Sequence, residues 1–291
     1  MELPAELLSI PHRQNVPFSQ LTTLGMGGIC RWLIEPETEN DVQCFIKVCR
    51  TNSLEYKVLG GGSNLLVLSD VKVPVLRLNL PKKLHVTGKD VFASASCRHL
   101  SLSRDVAEMG LSGLEWASGI PGSFGGAIRM NAGANGCDWG KVLNTVRFVT
   151  SDGELVEKKV ECEDFTYRSS FLCEGGVAIS ATFALHKGER EAIISTMEAF
   201  QAKRKKHQPS GRSAGCIFRN PPSKSAGQLI ESAGLKGLRV GSAVVSDVHA
   251  NFLLNTGEAT SRDFWELIQI VKSKVYDVHS CKLELEVEVW E

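Results

Sequence analysis

The residues best suited to chemistry lie in a glycine-rich segment in the middle of the chain, residues 118–136. Six of its nineteen residues are glycine, and Arg129 is its one charged side chain. A flexible linker with this much glycine would also be rich in serine and charge. Here the glycines instead alternate with apolar residues such as Ile120, Phe124 and Ile128. This pattern indicates a backbone that approaches another group closely, and backbone N–H groups presented in this way suit phosphates.

A second glycine-rich segment, residues 60–68, follows a predicted short strand at 56–59. Three consecutive glycines precede Ser63 and Asn64, whose side chains would add hydrogen-bond donors next to the exposed backbone. One such segment could be a tight turn between strands. Two of them favour a large nucleotide cofactor. Neither contains the Gly-x-Gly-x-x-Gly or Gly-x4-Gly-Lys-Ser/Thr pattern, so neither a Rossmann nor a P-loop site is predicted.

Hydrophobic periodicity predicts the elements that must position these segments. Residues 39–51 form a helix with Val42, Phe45 and Cys49 on its buried face, capped by Asn40 or Asp41. Strands are predicted at 73–78, 90–95, 144–150, 154–160 and 177–185, and helices at 99–109, 187–207, 225–233 and 262–278. The chain closes with apolar residues alternating with three glutamates over 283–289, which predicts a strand. A change in composition near residue 187 predicts the main domain boundary.

Composition and charge exclude several classes of protein. The 33 basic and 33 acidic residues balance, which disfavours a dedicated binder of nucleic acid or of a membrane surface. We predict neither a signal peptide nor an apolar stretch long enough for membrane insertion. The nine cysteines are odd in number and contain no Cys-x-x-Cys pair, so we predict no disulfide framework and no metal site. Reduced cysteines favour a cytoplasmic protein.

The motifs become specific when they are taken in chain order. Residues 59–67, 118–127 and 130–136 closely resemble the motifs of the UDP-N-acetylenolpyruvoylglucosamine reductase family, also called UDP-N-acetylmuramate dehydrogenases. Further motifs follow in the family's order, and together they cover nearly the whole chain. These are residues 23–28, 167–171, 214–221, 226–237, 249–252 and 286–287.

The resemblance implies an α+β protein. A vanillyl-alcohol-oxidase-type FAD-binding fold would comprise two subdomains, residues 1–80 and 81–187, followed by a C-terminal α/β substrate-binding domain, residues 188–291. FAD would be non-covalent, because neither glycine segment contains His or Cys. The cofactor-binding residues implied are Leu59, Gly60, Gly61, Gly62, Ser63, Asn64, Leu65, Ser118, Gly119, Ile120, Pro121, Gly122, Ser123, Gly125, Gly126, Ala127, Asn131, Gly133, Ala178 and Ile179.

The reaction implied is the reduction of UDP-N-acetylglucosamine-enolpyruvate to UDP-N-acetylmuramate in peptidoglycan precursor synthesis. NADPH would be the hydride donor, and FAD would pass the hydride to the enolpyruvyl ether. Negative charge then builds on the adjoining carboxylate, where fixed cations or acids lower the barrier. A proton must also reach the carbon of the enolpyruvyl double bond that does not receive the hydride, and it must come from a positioned acid.

Three residues are the catalytic candidates. Arg168 would grip the carboxylate bidentately, although spacing alone would make it an ordinary surface arginine. Glu286 would assist at the enolate, but Glu284 and Glu288 share its predicted strand face, and only the family's Glu-Val ending selects it. Cys216 stands where the family carries a serine as proton donor. A thiol is mostly protonated near neutral pH and could donate, or it could be an inert core cysteine.

The remaining expectations concern the substrate and alternative functions. The resemblance suggests Tyr167, Gln228 and Glu231 as substrate-binding residues, and we expect a monomer that binds no nucleic acid. The basic residues 203–206 end a predicted helix, where solvated Lys and Arg are common, or they attract phosphates of the substrate or of NADPH. Two alternatives stay open: another FAD-dependent oxidase or dehydrogenase on the same fold, and a nucleotide- or RNA-binding module.

Overall fold

The structure is a computed structural model that describes residues 3–222 and 224–291. Its chain forms two compact units. The first unit comprises Met1–Gln14, Trp32–Gly61 and Val73–Ala202, and the second comprises Asn15–Arg31, Gly62–Lys72 and Lys203–Glu291. Two N-terminal segments therefore belong to the same unit as the C-terminal region, which no change in composition signals. The three-domain division at residues 80 and 187 stays a prediction.

A five-stranded antiparallel sheet forms the centre of the first unit. Its middle strand, Val177–Ala184, is buried along most of its length, in keeping with its run of apolar and small residues. This sheet confirms four of the strands predicted from the sequence and adds Leu84–Thr87. Its order is Leu155–Lys159, Leu143–Val149, Val177–Ala184, Asp90–Ser94 and Leu84–Thr87.

A four-stranded sheet and the helix Glu39–Thr51 supply a second core. The predicted helix is confirmed, and Val42, Phe45, Ile46 and Cys49 are its buried residues. The predicted cap is wrong. Thr38 is the N-cap, and Asp41 at the third helical position bonds back to it in a capping box. The sheet order is His12–Pro17, Ile29–Ile34, Val71–Leu76 and Lys57–Val58.

Helices and short strands complete the first unit. The helix His99–Glu108 precedes the long glycine segment, and that segment itself contains the helix Phe124–Arg129. Short antiparallel pairs join Gly133–Ala134 to Cys137–Asp138, Phe165–Thr166 to Ser169–Ser170, and Leu111–Ser112 to His186–Lys187. The helix Arg190–His207 leads into the second unit. Shorter helical turns of the first unit are Ala5–Leu8, Glu115–Ala117, Trp139–Lys141, Cys162–Asp164 and Phe171–Glu174, and the turn Phe18–Gln20 belongs to the second unit.

The second unit packs helices against small sheets. Its helices are Ala226–Ser232 and Ser261–His279, and its three-stranded sheet runs Arg239–Val240, Ala243–Val245, Leu253–Asn255. The buried face of the longer helix, including Phe264, Leu267 and Ile268, packs in one core with Phe218 and Val287. Because apolar positions recur at helical spacing in that helix, its prediction from the sequence is confirmed.

The predicted continuous strand at the C-terminus is wrong. Only Glu288–Trp290 is a regular strand, and it pairs in parallel with Leu65–Val67. Leu285 instead forms a single antiparallel bridge to Phe218. The chain changes its pairing partner between these two points, so the alternating pattern predicts burial correctly and pairing incorrectly.

A buried histidine stands in the aromatic core beside the long glycine segment. His99 has 0% exposure, and its Nε2 accepts a hydrogen bond of 2.8 Å from the Trp139 indole. Its ring makes edge contacts with Trp116 and Trp139, and its backbone N–H donates to the Gly122 carbonyl at 3.1 Å. Because Nε2 is the acceptor, the neutral ring carries its proton on Nδ1. Burial lowers the pKa of His99 to about 4.

Replacing His99 with leucine should flatten the pH dependence of stability. The folded protein resists protonation of this ring, so the unfolded chain alone takes up the proton as pH falls below about 6.5. Between pH 7.5 and pH 5 the wild type should lose about 2 kcal/mol more free energy of unfolding than His99→Leu. Urea unfolding at both pH values measures this difference. His85→Leu, at an exposed position, should keep the wild-type dependence. Parallel pH profiles for the wild type and His99→Leu would contradict the assignment.

Candidate active site

The two glycine segments meet backbone to backbone within the first unit. A Cβ on Gly61 would lie 2.6 Å from the Cα of Gly122 and 2.9 Å from the backbone nitrogen of Ser123. A Cβ on Gly60 would lie 3.0 Å from the Ser123 hydroxyl. Since real side chains do not approach backbone at 2.6 Å, this contact requires glycine. The structure thus brings together two segments that lie about sixty residues apart in the sequence.

Backbone hydrogen bonds fix the long segment after this contact. The N–H groups of Phe124 and Gly125 donate to the carbonyls of Cys97 and Ala95, both at 2.9 Å. Ala95 in turn donates its N–H to the Ile179 carbonyl at 2.8 Å. A Cβ on Gly125 would lie 2.9 Å from the Ala95 methyl and 3.7 Å from the Ala178 methyl. The predicted residues Gly125, Ala178 and Ile179 are therefore neighbours.

The residues at this contact fit a polar cofactor such as FAD. The Ser96 hydroxyl is buried and has no hydrogen-bond partner among the residues that the structure describes. It stands between Ala95 and Cys97, whose carbonyls accept from the glycine segment. A buried hydroxyl without a partner in the protein needs a water or a ligand group to complete its hydrogen bonding. Ser96 was not among the residues predicted from the sequence to bind the cofactor.

The predicted cofactor-binding residues divide between the two units. The four that belong to the second unit directly follow Gly61 in the chain: Gly62, Ser63, Asn64 and Leu65. All the others belong to the first unit: Leu59, Gly60, Gly61, Ser118, Gly119, Ile120, Pro121, Gly122, Ser123, Gly125, Gly126, Ala127, Asn131, Gly133, Ala178 and Ile179. Their contact with a cofactor stays a prediction.

Arg168 occupies the tip of a tight hairpin in the first unit. The strands Phe165–Thr166 and Ser169–Ser170 pair antiparallel, and Tyr167 and Arg168 form the two-residue turn between them. Arg168 has φ of 58°, a left-handed conformation that is uncommon for an arginine. Its guanidinium carbon lies 5.1 Å from the centroid of the half-exposed Tyr167 ring. Strained backbone of this kind clusters at functional sites.

Cys216 and Glu286 lie on adjacent backbones in the second unit. The N–H of Glu286 donates to the carbonyl of Ile217, the residue after Cys216, at 2.8 Å. On the other side, Cys216 forms an antiparallel bridge with Phe252. Cys216 is partly exposed, as an acid that must reach a substrate requires. The structure therefore brings together two residues that the sequence separates by seventy positions.

Burial distinguishes the three glutamates that periodicity could not separate. Glu284 and Glu288 are exposed, whereas Glu286 is partly buried. Glu288 accepts from the Trp290 indole at 2.9 Å, and the backbone of Glu284 pairs with Arg219. The Glu286 backbone pairs with Ile217, the residue next to Cys216, and the role of Glu286 stays a prediction.

Two further residues hold this part of the site, and the sequence analysis missed both roles. The Asn251 side chain is 2% exposed, accepts from the Phe218 N–H at 2.9 Å and donates to the Phe218 carbonyl at 2.8 Å. The Thr23 hydroxyl donates to the Ser213 carbonyl at 2.6 Å, while the Thr23 N–H donates to the Gly62 carbonyl. Both residues lie in motifs that the sequence analysis quoted, but motif matching carries no information about partners.

Arg204 is a charged residue within electrostatic range of Cys216. It lies in the last turn of the helix Arg190–His207, within the basic run 203–206. Burial lowers the pKa of the Arg204 guanidinium, and the Cys216 thiol acts on this pKa in the opposite direction. The two groups are therefore within electrostatic range of each other. From the sequence, this basic run was predicted to be a solvated helix end or to attract phosphates of the substrate or of NADPH, and no link with Cys216 was predicted.

The predicted substrate-binding residues of the helix Ala226–Ser232 have partners of their own. The Gln228 side chain accepts from the Ser225 N–H at 3.4 Å and so closes a capping box. Glu231 pairs with Lys236 at 2.6 Å. Tyr167 stacks beside Arg168, as described above. Substrate contacts of all three stay predictions.

The described part of the chain lacks two other kinds of site. Within residues 3–222 and 224–291, no three potential metal ligands among His, Cys, Asp and Glu cluster together. Among the same residues, no helix combines the length and the apolar character needed to cross a membrane.

Known families match both parts of the chain. Residues 31–158 match a model of an FAD binding domain, and residues 206–290 match the C-terminal domain of UDP-N-acetylenolpyruvoylglucosamine reductase. These matches confirm an α+β fold with an FAD-binding part and a separate C-terminal domain.

Whole-length relatives carry the same family name. The chain is similar to UDP-N-acetylenolpyruvoylglucosamine reductase of Bacillus pumilus, with 38% identity over 281 residues, 95% of this chain and 93% of that protein. It is similar to that of Syntrophomonas wolfei, with 39% identity over 291 residues, 99% and 96% of the two chains. The crystal structure of the enzyme from Thermus caldophilus superposes on this chain with a TM-score of 0.84 at 37% identity. The match covers 97% of this chain and 99% of that structure's chain.

Replacing Gly61 with alanine should destabilise the protein and reduce the FAD that it retains on purification. The new methyl group would overlap backbone of Gly122, which cannot move as a flexible side chain can. Overpacking of this kind costs about 1–3 kcal/mol of unfolding free energy. Thermal unfolding and flavin absorbance per protein measure the two effects.

Gly257→Ala is the matched control, because a Cβ there meets nothing within 4 Å. It should leave FAD content unchanged and be neutral or stabilising by up to about 1 kcal/mol. Equal behaviour of the two variants would show that the Gly61 contact imposes no constraint.

Proposed function

The chain belongs to the UDP-N-acetylenolpyruvoylglucosamine reductase family, and from that premise we propose that Arg168, Cys216 and Glu286 act on the substrate. The enzyme reduces UDP-N-acetylglucosamine-enolpyruvate to UDP-N-acetylmuramate, with FAD as cofactor and NADPH as hydride donor. This reaction belongs to peptidoglycan precursor synthesis. We propose in addition a cytoplasmic monomer that binds no nucleic acid, which the balanced net charge supports.

The observation that carries the assignment is the pairing of the Cys216 and Glu286 segments. The Glu286 N–H donates to the carbonyl of Ile217, the residue that follows Cys216, so the backbones that carry the proposed proton donor and the proposed carboxyl group are adjacent. Reduction of an enolpyruvyl ether needs both kinds of group, one to protonate carbon and one to assist where negative charge develops. Their partial burial strengthens electrostatic effects relative to bulk water.

Each residue takes one role. Bound FAD supplies hydride transfer from NADPH to the enolpyruvyl group. Arg168 holds the substrate carboxylate and stabilises the charge that builds there, since a guanidinium matches a carboxylate bidentately. Glu286 assists at the same developing charge through its carboxyl group. The Cys216 thiol then delivers its proton to the carbon of the enolpyruvyl group that does not receive the hydride. It is left as a thiolate, which Arg204 stabilises.

Cys216 variants separate the two half-reactions. Cys216→Ala should keep the rate of flavin reduction by NADPH and lose between about 10²- and 10⁴-fold in turnover of the enolpyruvyl sugar, because it lacks the proton donor. Cys216→Ser restores a donor and should stay active. Anaerobic stopped-flow absorbance of the flavin measures both half-reactions.

The same assay tests the function itself. The wild type should oxidise NADPH steadily only when the enolpyruvyl sugar is present. Steady NADPH oxidation by oxygen, indifferent to the sugar, would favour an oxidase instead. Full sugar turnover by Cys216→Ala would remove Cys216 from the mechanism.

Two variants at Arg168 separate its charge from its backbone. Arg168→Ala and Arg168→Gly both remove the guanidinium, and each should slow sugar reduction by about 10²- to 10³-fold. Glycine adopts the left-handed conformation at φ of 58° freely. The free energy of unfolding of Arg168→Gly should therefore be about 1 kcal/mol higher than that of Arg168→Ala. Rapid reduction of the sugar by either variant would contradict the role, and equal stability would contradict the backbone strain.

A further inference from the structure

Each glycine segment carries an asparagine whose side chain bonds to backbone at or near a residue proposed above to react: Asn64 bonds to Glu286 itself, and Asn131 bonds to Thr166, two residues before Arg168. We propose that Asn131 is a positioning residue for Arg168, and that Asn64 is a positioning residue for Glu286. This inference rests on the proposed function, because it assumes that Arg168 and Glu286 act on the substrate. It gives the two asparagines a task that the resemblance did not assign, since there both were cofactor-binding residues.

Both polar atoms of the Asn131 amide bond to the protein backbone. Its side chain is 7% exposed, and its Nδ2 donates to the Thr166 carbonyl at 3.0 Å. Its Oδ1 accepts from the Gly140 N–H at 3.0 Å. Thr166 is the last strand residue before the Tyr167–Arg168 turn. The hydrogen bond therefore fixes the hairpin at the point where it turns toward Arg168.

The end of the same helix holds the other side of the hairpin. The Ser170 hydroxyl donates to the Arg129 carbonyl at 2.9 Å. The Arg129 guanidinium donates to the Leu172 carbonyl at 2.6 Å. With the Asn131 bond, three hydrogen bonds connect residues 129–131 to the chain on both sides of Arg168. Since Arg168 has a strained backbone, such contacts are what keeps its conformation populated.

Asn64 makes the corresponding contacts in the second unit. Its Nδ2 donates to the Glu286 carbonyl at 3.0 Å, and its own carbonyl accepts from the Glu288 N–H at 3.1 Å. The Glu286 N–H is bonded to Ile217, so both backbone polar groups of Glu286 have a partner. The glutamate is thereby held where the chain passes from one pairing partner to another.

Asparagine suits both positions for chemical reasons. Its amide offers a donor and an acceptor, whereas aspartate of the same shape offers only acceptors. Asparagine also tolerates the left-handed backbone better than other residues with side chains, and Asn131 has φ of 41°. Replacement by aspartate keeps shape and backbone preference and directs an anion at a carbonyl oxygen.

The experiment compares Asn131→Asp with Asn135→Asp in the FAD-loaded enzyme. Asn135 has φ of 53° and is exposed, so the control makes the same charge change on a similar backbone. Asn131→Asp should slow the sugar half-reaction by about 10- to 100-fold through misplacement of Arg168. Its flavin reduction by NADPH, FAD content and flavin spectrum should match those of the control. Asn131→Gly serves in its place if the aspartate variant does not fold.

A double-mutant cycle shows whether Asn131 acts through Arg168. In the Arg168→Ala background, Asn131→Asp should slow sugar reduction further by less than about twofold, because the group that it positions is gone. A full further loss there would overturn the inference, and so would loss of FAD or slowed reduction by NADPH. If Arg168→Ala alone reduces the sugar at the wild-type rate, the proposed function fails instead.

The Asn64 arm follows the same design. Asn64→Asp should slow the sugar half-reaction by about 10- to 100-fold, and by less than about twofold in the Glu286→Ala background. Asn15→Asp is the control, since Asn15 is exposed with φ of 53° and belongs to the same unit. A loss that persists in full without the Glu286 side chain would overturn this arm.

Discussion

The close backbone contact between Gly61 and Gly122 is the constraint from which the first unit's site follows. A methyl group at Gly61 would stand 2.6 Å from the neighbouring Cα, so the two glycine segments meet only where side chains are absent. From Gly122 the chain enters the helix Phe124–Arg129, whose first N–H groups bond to residues 95 and 97. The far end of that six-residue helix holds the hairpin of Arg168. A displacement at Gly122 would thus be transmitted along one short rigid helix to the arginine.

The proposed reacting residues all lie on irregular backbone. Arg168 has left-handed angles in a two-residue turn, Cys216 makes a single bridge to Phe252, and Glu286 precedes the last regular strand. Regular helices and strands satisfy their own backbone polar groups, so irregular segments need other partners. Asn131, Asn251 and Asn64 supply them in these three places. Side-chain amides therefore do at the site what hydrogen-bond ladders do elsewhere in the fold.

Sequence reasoning succeeded where a single local pattern decides the structure. The helix Glu39–Thr51 follows from its apolar spacing, and the strand Val177–Ala184 follows from its apolar run. It failed where the structure depends on pairing with a segment distant in the sequence. The alternation over 283–289 predicts a strand, but the partners available are Phe218 for Leu285 and Leu65 for Glu288, so the pairing changes. The choice of Glu286 likewise needs burial, which depends on the packed segments and not on the spacing of glutamates.

A thiol in place of an alcohol changes what the protein around a proton donor must provide. An alcohol resists ionisation and needs a base or a strong field before it can give up a proton, whereas a free thiol has a pKa of about 8.5. Arg204 is within electrostatic range of Cys216 and, in the proposed role, would stabilise the thiolate that proton donation leaves behind. The same field would also deplete the protonated thiol before donation if it were stronger. Cys216 is itself partly exposed, so in the proposed role solvent would return its proton after each turnover.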